Sequence, residues 1–274
     1  YGGTACTNHP CYEQATSGGV SYGAYLRGGA AGVSLISNSF VDLHGGGHGA
    51  DGVENAAYGV GMDEDSLAHD IETSNTLDGA PIYYVYGADG LLLEDVDLSA
   101  PGNPTNLGKL AIVASKNVTV SGGEIAHYRS SEGLVTHPKG VATEGASAAG
   151  ILLKDCEQCT VTGVDIHHIE GGRGGLGLYK YLWNGAVSPD SRGPAASGVA
   201  MGIRIEGASS VGGTLSGNVI HDLLGGPPPP VTQTHKIYAP HSAQGSLGVY
   251  LAEEALDNVV DETNLLDGQP IVYR

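Results

Sequence analysis

Apolar residues recur at every second position in short runs along this chain, and Gly, Asn, Asp or Ser bounds each run. A period of two with such boundaries predicts short β-strands that bury one face. Five segments open alike, with a small or apolar residue, Gly, and then alternating apolar residues. They are Ser21-Tyr-Gly-Ala-Tyr-Leu26, Ala57-Tyr-Gly-Val-Gly-Met62, Ala148-Ala-Gly-Ile-Leu-Leu153, Ala200-Met-Gly-Ile-Arg-Ile205 and Ser246-Leu-Gly-Val-Tyr-Leu251. Most lead through a polar or Gly-rich bend into a second run, such as Cys159-Thr-Val-Thr-Gly-Val-Asp-Ile166 or Gly213-Thr-Leu-Ser-Gly-Asn-Val-Ile220. A His/Asp/Leu turn and a Gly cluster follow, as in His167-His-Ile-Glu-Gly-Gly172 and His221-Asp-Leu-Leu-Gly-Gly226.

A single pass of this kind cannot bury its inner face. Stacking successive passes pairs their strands in parallel and makes a continuous core. A sandwich would use short strands too, but it needs hairpin signals such as Asn-Gly between adjacent runs, and these are scarce. The expected fold is all-β: a single right-handed parallel β-helix, or solenoid, with loop insertions over residues 21–274. A disulfide-tied segment, 1–20, precedes it. Arg129 to Ala146, Tyr179 to Ser197 and Gly225 to Ala243 read as the insertions.

A longer repeat is sharper. Asn75-Thr-Leu-Asp-Gly-Ala-Pro-Ile-Tyr-Tyr84 recurs as Asn264-Leu-Leu-Asp-Gly-Gln-Pro-Ile-Val-Tyr273, 189 residues on, and Gly59 and Gly248 keep the same offset. The Leu-Asp-Gly element reads as a turn with Gly at a positive φ and Pro fixing the exit. The second copy stops at Arg274, so it is expected either to cap the fold or to lead into more of a parent chain.

Composition narrows the picture. Gly accounts for 45 of 274 residues, while Phe, Trp and Met together number four, so Val, Ile, Leu and Tyr must supply the core. So much Gly disfavours helices. Thirty acidic residues against twelve basic ones give a net charge of −18, which argues against nucleic acid as a partner. No apolar stretch is long enough for a membrane span. The chain opens without an initiator Met or a signal peptide and reads as a mature or excised product. The cysteines form two close pairs, Cys6/Cys11 and Cys156/Cys159. Local disulfides in a secreted protein are the expectation, with free thiols or half a metal site as alternatives for Cys156-Glu-Gln-Cys159.

The Asn-x-Leu-Asp-Gly-x-Pro-Ile-x-Tyr element, followed by Leu110-Ala-Ile-Val-Ala-Ser-Lys-Asn-Val-Thr-Val-Ser-Gly122 and the Gly-Ile-x-Leu runs, resembles the right-handed β-helix repeats of NosD-like proteins. These belong to the pectin-lyase-like superfamily and are common in archaeal surface proteins. The resemblance covers the chain from about Ser21 onward. It implies surface architecture, carbohydrate handling or copper-related periplasmic work, and its motifs are stacking positions that do not choose among them.

Candidate chemistry lies in the acids, histidines and loop aromatics. The i,i+2 pairs Asp63/Asp65 and Asp95/Asp97 would each share one face of a strand and could hold Ca²⁺, or could simply belong to a solvated surface. Asp165 with His167 and His168, near Arg173 and Lys180, forms a third acidic patch. His44-Gly-Gly-Gly-His48 could close on a metal. The adjacent His167 and His168 should face opposite ways on a strand, which argues against joint ligation unless they sit in a turn. Tyr179, Tyr181 and Trp183 could stack on sugar rings, seat a neighbouring subunit or cover a sheet edge. Asn117-Val-Thr119 is a glycosylation sequon and equally a natural turn. Together these features predict a non-catalytic extracellular structural protein that self-associates end to end. The alternatives are a polysaccharide lyase or glycoside hydrolase on the same scaffold, and a periplasmic metal-binding accessory protein using His44 and His48.

Overall fold

The computed structural model describes residues 19–46, 54–133, 143–175, 195–227 and 245–272. These residues form an all-β protein of parallel sheets, whose one helical turn is the 3-10 segment Glu253–Ala255. None of its helices is long and apolar enough to cross a membrane. Cys6, Cys11, His48, Tyr179, Lys180, Tyr181 and Trp183 fall outside the described residues.

The chain passes repeatedly through the same two large sheets. A five-stranded sheet orders Tyr83–Tyr86, Leu110–Val113, Ala148–Lys154, Ala200–Glu206 and Ser246–Leu251 side by side. A nine-stranded sheet takes the second half of each pass, including Leu92–Leu98, Thr119–Arg129, Asp165–Glu170 and Val219–Leu224. Register is held from pass to pass. Leu110, Ile151, Ile203 and Val249 lie level, as do Ile112, Leu153, Ile205 and Leu251. Their side chains stack inward against Ile125, Ile166 and Ile220 of the other sheet, and most are wholly buried.

The strands before Pro81 form smaller sheets of their own: Ser21–Leu26 on Ala57–Met62, Ser34–Leu35 on Asp70–Ile71, and Ser39–Phe40 on Thr76–Leu77. They build a second apolar cluster, in which Val60, Met62, Ile71, Leu77 and Ile82 pack with Ala111, Val113 and Leu152. Since Leu110 and Ile112 belong to the first cluster and Ala111 and Val113 to the second, that strand is covered on both faces.

The 189-residue repeat is structural. Ala57–Met62, Asp70–Ile71, Thr76–Leu77 and Ala80–Pro81 recur at that offset as Ser246–Leu251, Val259–Val260, Leu265–Leu266 and Gln269–Pro270. In both copies the Asp-Gly turn has two positive φ values, 48° and 86° at Asp78 and Gly79, 49° and 76° at Asp267 and Gly268. It turns the chain back as an antiparallel hairpin, the hairpin signal that the alternation had hidden. The returning strand carries Pro81 or Pro270, which has no N–H to offer a further strand. Asn75 and Asn264 repeat too, each wholly buried with its side-chain amide donating to two carbonyls: Leu35 and Glu72 in one, Leu215 and Asp261 in the other. Each also stacks on an Asn one pass away, Asn38 or Asn218, so no polar group of the buried amide column is stranded.

The Gly clusters form a layer at one corner. Segments 130–133, 143–147, 171–175, 195–199 and 224–227 lead into and out of the three insertions, and backbone bonds tie them to one another. Gly172 N–H donates to the Ala146 carbonyl at 2.9 Å, Gly198 N–H to the Gly172 carbonyl at 2.7 Å, and Gly226 N–H to the Gly198 carbonyl at 2.9 Å. The backbones approach so closely that a Cβ on Gly172 would stand 1.8 Å from the Ser131 carbonyl oxygen. Glycine is therefore required by contact, with no demand on φ. Gly172→Ala should cost about 3 kcal/mol by urea denaturation. Gly245→Ala, where nothing lies within 4 Å, should change stability by less than about 0.5 kcal/mol.

Candidate functional site

Three strands place a row of histidines and carboxylates on the outer face of the nine-stranded sheet. Their sequences share one local pattern: Ile125-Ala-His-Tyr128, Ile166-His-His-Ile169 and Ile220-His-Asp-Leu223. Two apolar residues three apart cannot both point inward from a regular strand. Here they do, because the third residue of each tetrad, His127, His168 or Asp222, is left-handed with φ of 56°, 52° and 51°. Ladder pairing runs around these residues, matching Ala126 to His167 to His221, and Tyr128 to Ile169 to Leu223. Both middle residues of the second and third tetrads, His167 with His168 and His221 with Asp222, are thereby turned outward. The opposed facing expected for His167 and His168 is corrected on this point: their ring centroids are 4.8 Å apart and their Nδ1 atoms 2.5 Å apart.

The parallel register stacks His167 on His221, with centroids 4.9 Å apart and planes 12° from parallel. Glu124 and Asp165 form the next row on the same face, level with each other and two residues before Ala126 and His167. Each carboxylate reaches diagonally up one strand. Glu124 Oε1 is 3.0 Å from His167 Nε2, and Asp165 Oδ1 is 3.1 Å from His221 Nε2. Asp222 Oδ2 closes on His221 Nδ1 at 2.8 Å. Flanked in this way, His221 holds its proton above the usual imidazole range, chiefly through Asp222 and then Asp165, while His221 holds the Asp222 carboxyl below its own. His127 moves down instead, through burial and then the neighbouring His168 and His167. Among the described residues, Asp165, His167 and His221 form the one group of three whose candidate ligand atoms all lie within 4.8 Å.

The other candidates are dispersed. Asp63 and Asp65 sit in a turn after Ala57–Met62, so strand alternation does not align them. Asp63 accepts from the Tyr25 hydroxyl and Asp65 from that of Ser66. Asp95 has a φ of 47° and, like Asp97, is exposed while Val96 and Leu98 turn inward, and the Asp97 carboxylate accepts from the Ser99 amide and hydroxyl. His44 is exposed between Asp42 and Glu54, at 2.9 and 3.0 Å, so both ring nitrogens already face carboxylates. Asn117 lies in an exposed turn and donates its side-chain amide to Asp89 at 2.9 Å. Cys156 and Cys159 are buried free thiols, and the expected disulfide between them is absent. Their side chains sit in the core beside the Ile112 and Ser115 carbonyls, at 3.6 and 3.9 Å.

Asp165, His167 and His168, one of the acidic patches of the sequence, are brought together, and His221 joins them from the next pass. The signal lies in the tetrad itself, Ala-His, His-His and His-Asp between apolar residues in three successive passes, which aligns the histidines once register is imposed.

His69 differs from the clustered histidines. It is buried, and its Nδ1 accepts from the Val33 amide at 3.2 Å, which fixes the neutral form. Burial lowers its pKa below the usual 6.5. An unfolded chain therefore takes up this proton before the folded one does, and stability falls as pH drops below about 6.5. His44 and His221, with raised values, contribute in the opposite sense. The difference between the wild type and His69→Gln isolates the effect: urea midpoints measured from pH 7.5 to 5.5 should fall more for the wild type. Comparison with known proteins finds no matching family model, no matching curated protein and no matching solved structure.

Proposed function

We propose that this chain is a non-catalytic extracellular structural protein that assembles end to end, with passes wound as a right-handed parallel β-helix of the NosD-like, pectin-lyase-like kind. The parallel ladders between successive passes and the repeated return to the same two sheets support the winding, since parallel crossovers are almost always right-handed. The dispersed acidic surface supports a soluble, externally exposed role.

One observation carries the assembly. Ala57–Met62 and Ser246–Leu251 are the same strand in two copies of the repeat, but their surroundings differ. The first is flanked on both sides, by Ser21–Leu26 and by Asn103–Thr105, and its Tyr58 and Val60 are wholly buried. The second pairs on one side with Ala200–Glu206, and the edge that Asn103–Thr105 covers in the first copy is open among the described residues. Leu247, the counterpart of Tyr58, is 42% exposed, and Tyr250, Leu256, Val259 and Val272 are exposed around it. Tyr25, Ile36 and Val41 are exposed at the opposite end of the chain's stack of strands. An unpaired parallel edge with apolar neighbours is a template for another strand. Ser21–Leu26 of a second copy fits it in sequence, Ser-x-Gly-x-Tyr-Leu against the same pattern in Ser246–Leu251. Docked in register, it would extend the glycine column in which Gly202 and Gly248 already lie level.

Size-exclusion light scattering across a concentration series should show association, with end-to-end rods or filaments by electron microscopy. Leu247→Lys with Tyr250→Lys should return the protein to a monomer at least tenfold higher in concentration, with unchanged circular dichroism. A wild type that stays monomeric at millimolar concentration would refute the assembly.

A further inference from the structure

The geometry points to a divalent transition-metal site formed by Asp165, His167 and His221, of the borderline class that Zn²⁺ represents. This inference stands apart from the assembly proposed above, because the three residues lie on the face of the ladder and not at its ends.

Two imidazoles and one carboxylate are a donor set for borderline first-row ions; hard cations such as Ca²⁺ prefer oxygen alone. The three come from two adjacent strands whose register is fixed by the parallel ladder, so they are held at strand spacing before any ion arrives. Metal–nitrogen bonds of about 2.0–2.1 Å require the ligand atoms to draw together from within 4.8 Å, a movement that rotation of the half-buried side chains supplies. Asp165 Oδ1 and His221 Nε2 already share a proton position at 3.1 Å, and the ion would take that proton's place.

The surroundings meet a second requirement. In protein metal sites the far nitrogen of a ligating histidine is generally held by a carboxylate, a carbonyl or another acceptor. Asp222 holds His221 Nδ1 at 2.8 Å, and His168 Nδ1 faces His167 Nδ1 at 2.5 Å. Both rings are thereby oriented with Nε2 toward the carboxylate row. Glu124, 3.0 Å from His167 Nε2, can swing in as a fourth ligand or leave that position to water. His167 is the most enclosed of the set, with 13% of its side chain exposed, so the ion would sit partly withdrawn from solvent. The net charge of −18 raises the local concentration of cations around it.

Chelator-treated protein should be titrated with Co²⁺ while visible absorption is recorded, and with Zn²⁺ by calorimetry. The expected result is one equivalent bound, with the d–d bands of a nitrogen- and oxygen-ligated Co²⁺ that Zn²⁺ bleaches. His167→Ala and His221→Ala should each abolish the bands, and Asp165→Asn should weaken binding at least tenfold. Asp222→Asn, which removes only the support of His221, should weaken it about tenfold or more and leave the stoichiometry at one. His44→Ala should leave both spectrum and affinity unchanged. Circular dichroism checks that each variant is folded, and Asp165→Asn and Asp222→Asn, which keep side-chain volume, serve if an alanine variant unfolds. Failure to bind one equivalent at micromolar Co²⁺, or binding that survives the folded His167→Ala/His221→Ala double variant, would overturn the assignment.

Discussion

In-register parallel pairing places each side chain directly over its counterpart one pass away, at about 4.8 Å, and the rest of the structure follows from that spacing. Apolar positions become columns such as Leu110, Ile151, Ile203 and Val249. A buried Asn is tolerable because the next Asn lies at bonding distance, as Asn218 and Asn264 show at 2.7 Å. Left-handed residues stack as well, so a bend introduced at His127 is repeated at His168 and Asp222 and does not break the ladder. A like charge would be repeated in the same way at the same spacing, which costs stability. The carboxylates Glu124 and Asp165 do lie level with each other, and each is offset by a histidine it reaches diagonally, His167 for Glu124 and His221 for Asp165.

The glycine layer obeys the same rule at closer range. Where the insertions leave the sheets, the outgoing and returning backbones lie against their counterparts in neighbouring passes, and contacts near 2 Å from a notional Cβ exclude every other residue. Sidedness follows, because each insertion that departs through the layer must leave at the corner just beyond Thr119–Arg129, Asp165–Glu170 and Val219–Leu224. The histidine row precedes that corner on the same strands. Chain segments of high glycine content are often read as flexible; in this layer glycine permits close packing and backbone hydrogen bonding.

Much of the fold was legible in the sequence because its signals are periodic. The Gly-led runs gave the five strands at Ser21, Ala57, Ala148, Ala200 and Ser246, and the Leu-Asp-Gly-x-Pro-Ile copies gave a repeat that the structure reproduces strand for strand. The separate small sheets before Pro81 were not legible, because which strand pairs with which is a tertiary choice that alternation does not encode. Asp165 and His167 were legible as part of an acidic patch, but their juxtaposition with His221 was not, for a more specific reason. Strict alternation put His167 and His168 on opposite faces, and only a left-handed residue, which no residue type at that position announces, brings them together. Of the isolated acidic pairs, Asp63/Asp65 lies in a turn and not on the strand geometry assumed for it, while Asp95/Asp97 is exposed on one strand despite the positive φ at Asp95.

Stacking also explains why the ends and the outer face carry different chemistry. Within the ladder every backbone group on a strand edge has a partner in the next pass, so side chains outside are free to be polar, and the outer rows collect carboxylates and imidazoles. Among the described residues Ser246–Leu251 has a strand on one side only, while the adjoining Leu265–Leu266 is closed by an antiparallel strand bearing Pro270. Pro270 blocks one sheet and leaves the other available, so a second strand can add only along the five-stranded sheet. In the first copy the chain resolves the same half-closed edge internally, by laying Asn103–Thr105 on Ala57–Met62 after the Pro81 hairpin. Among the described residues the two copies therefore present one edge in two states, covered in the first and uncovered in the second. The burial of Tyr58 against the exposure of Leu247 measures the apolar surface that an incoming strand would cover.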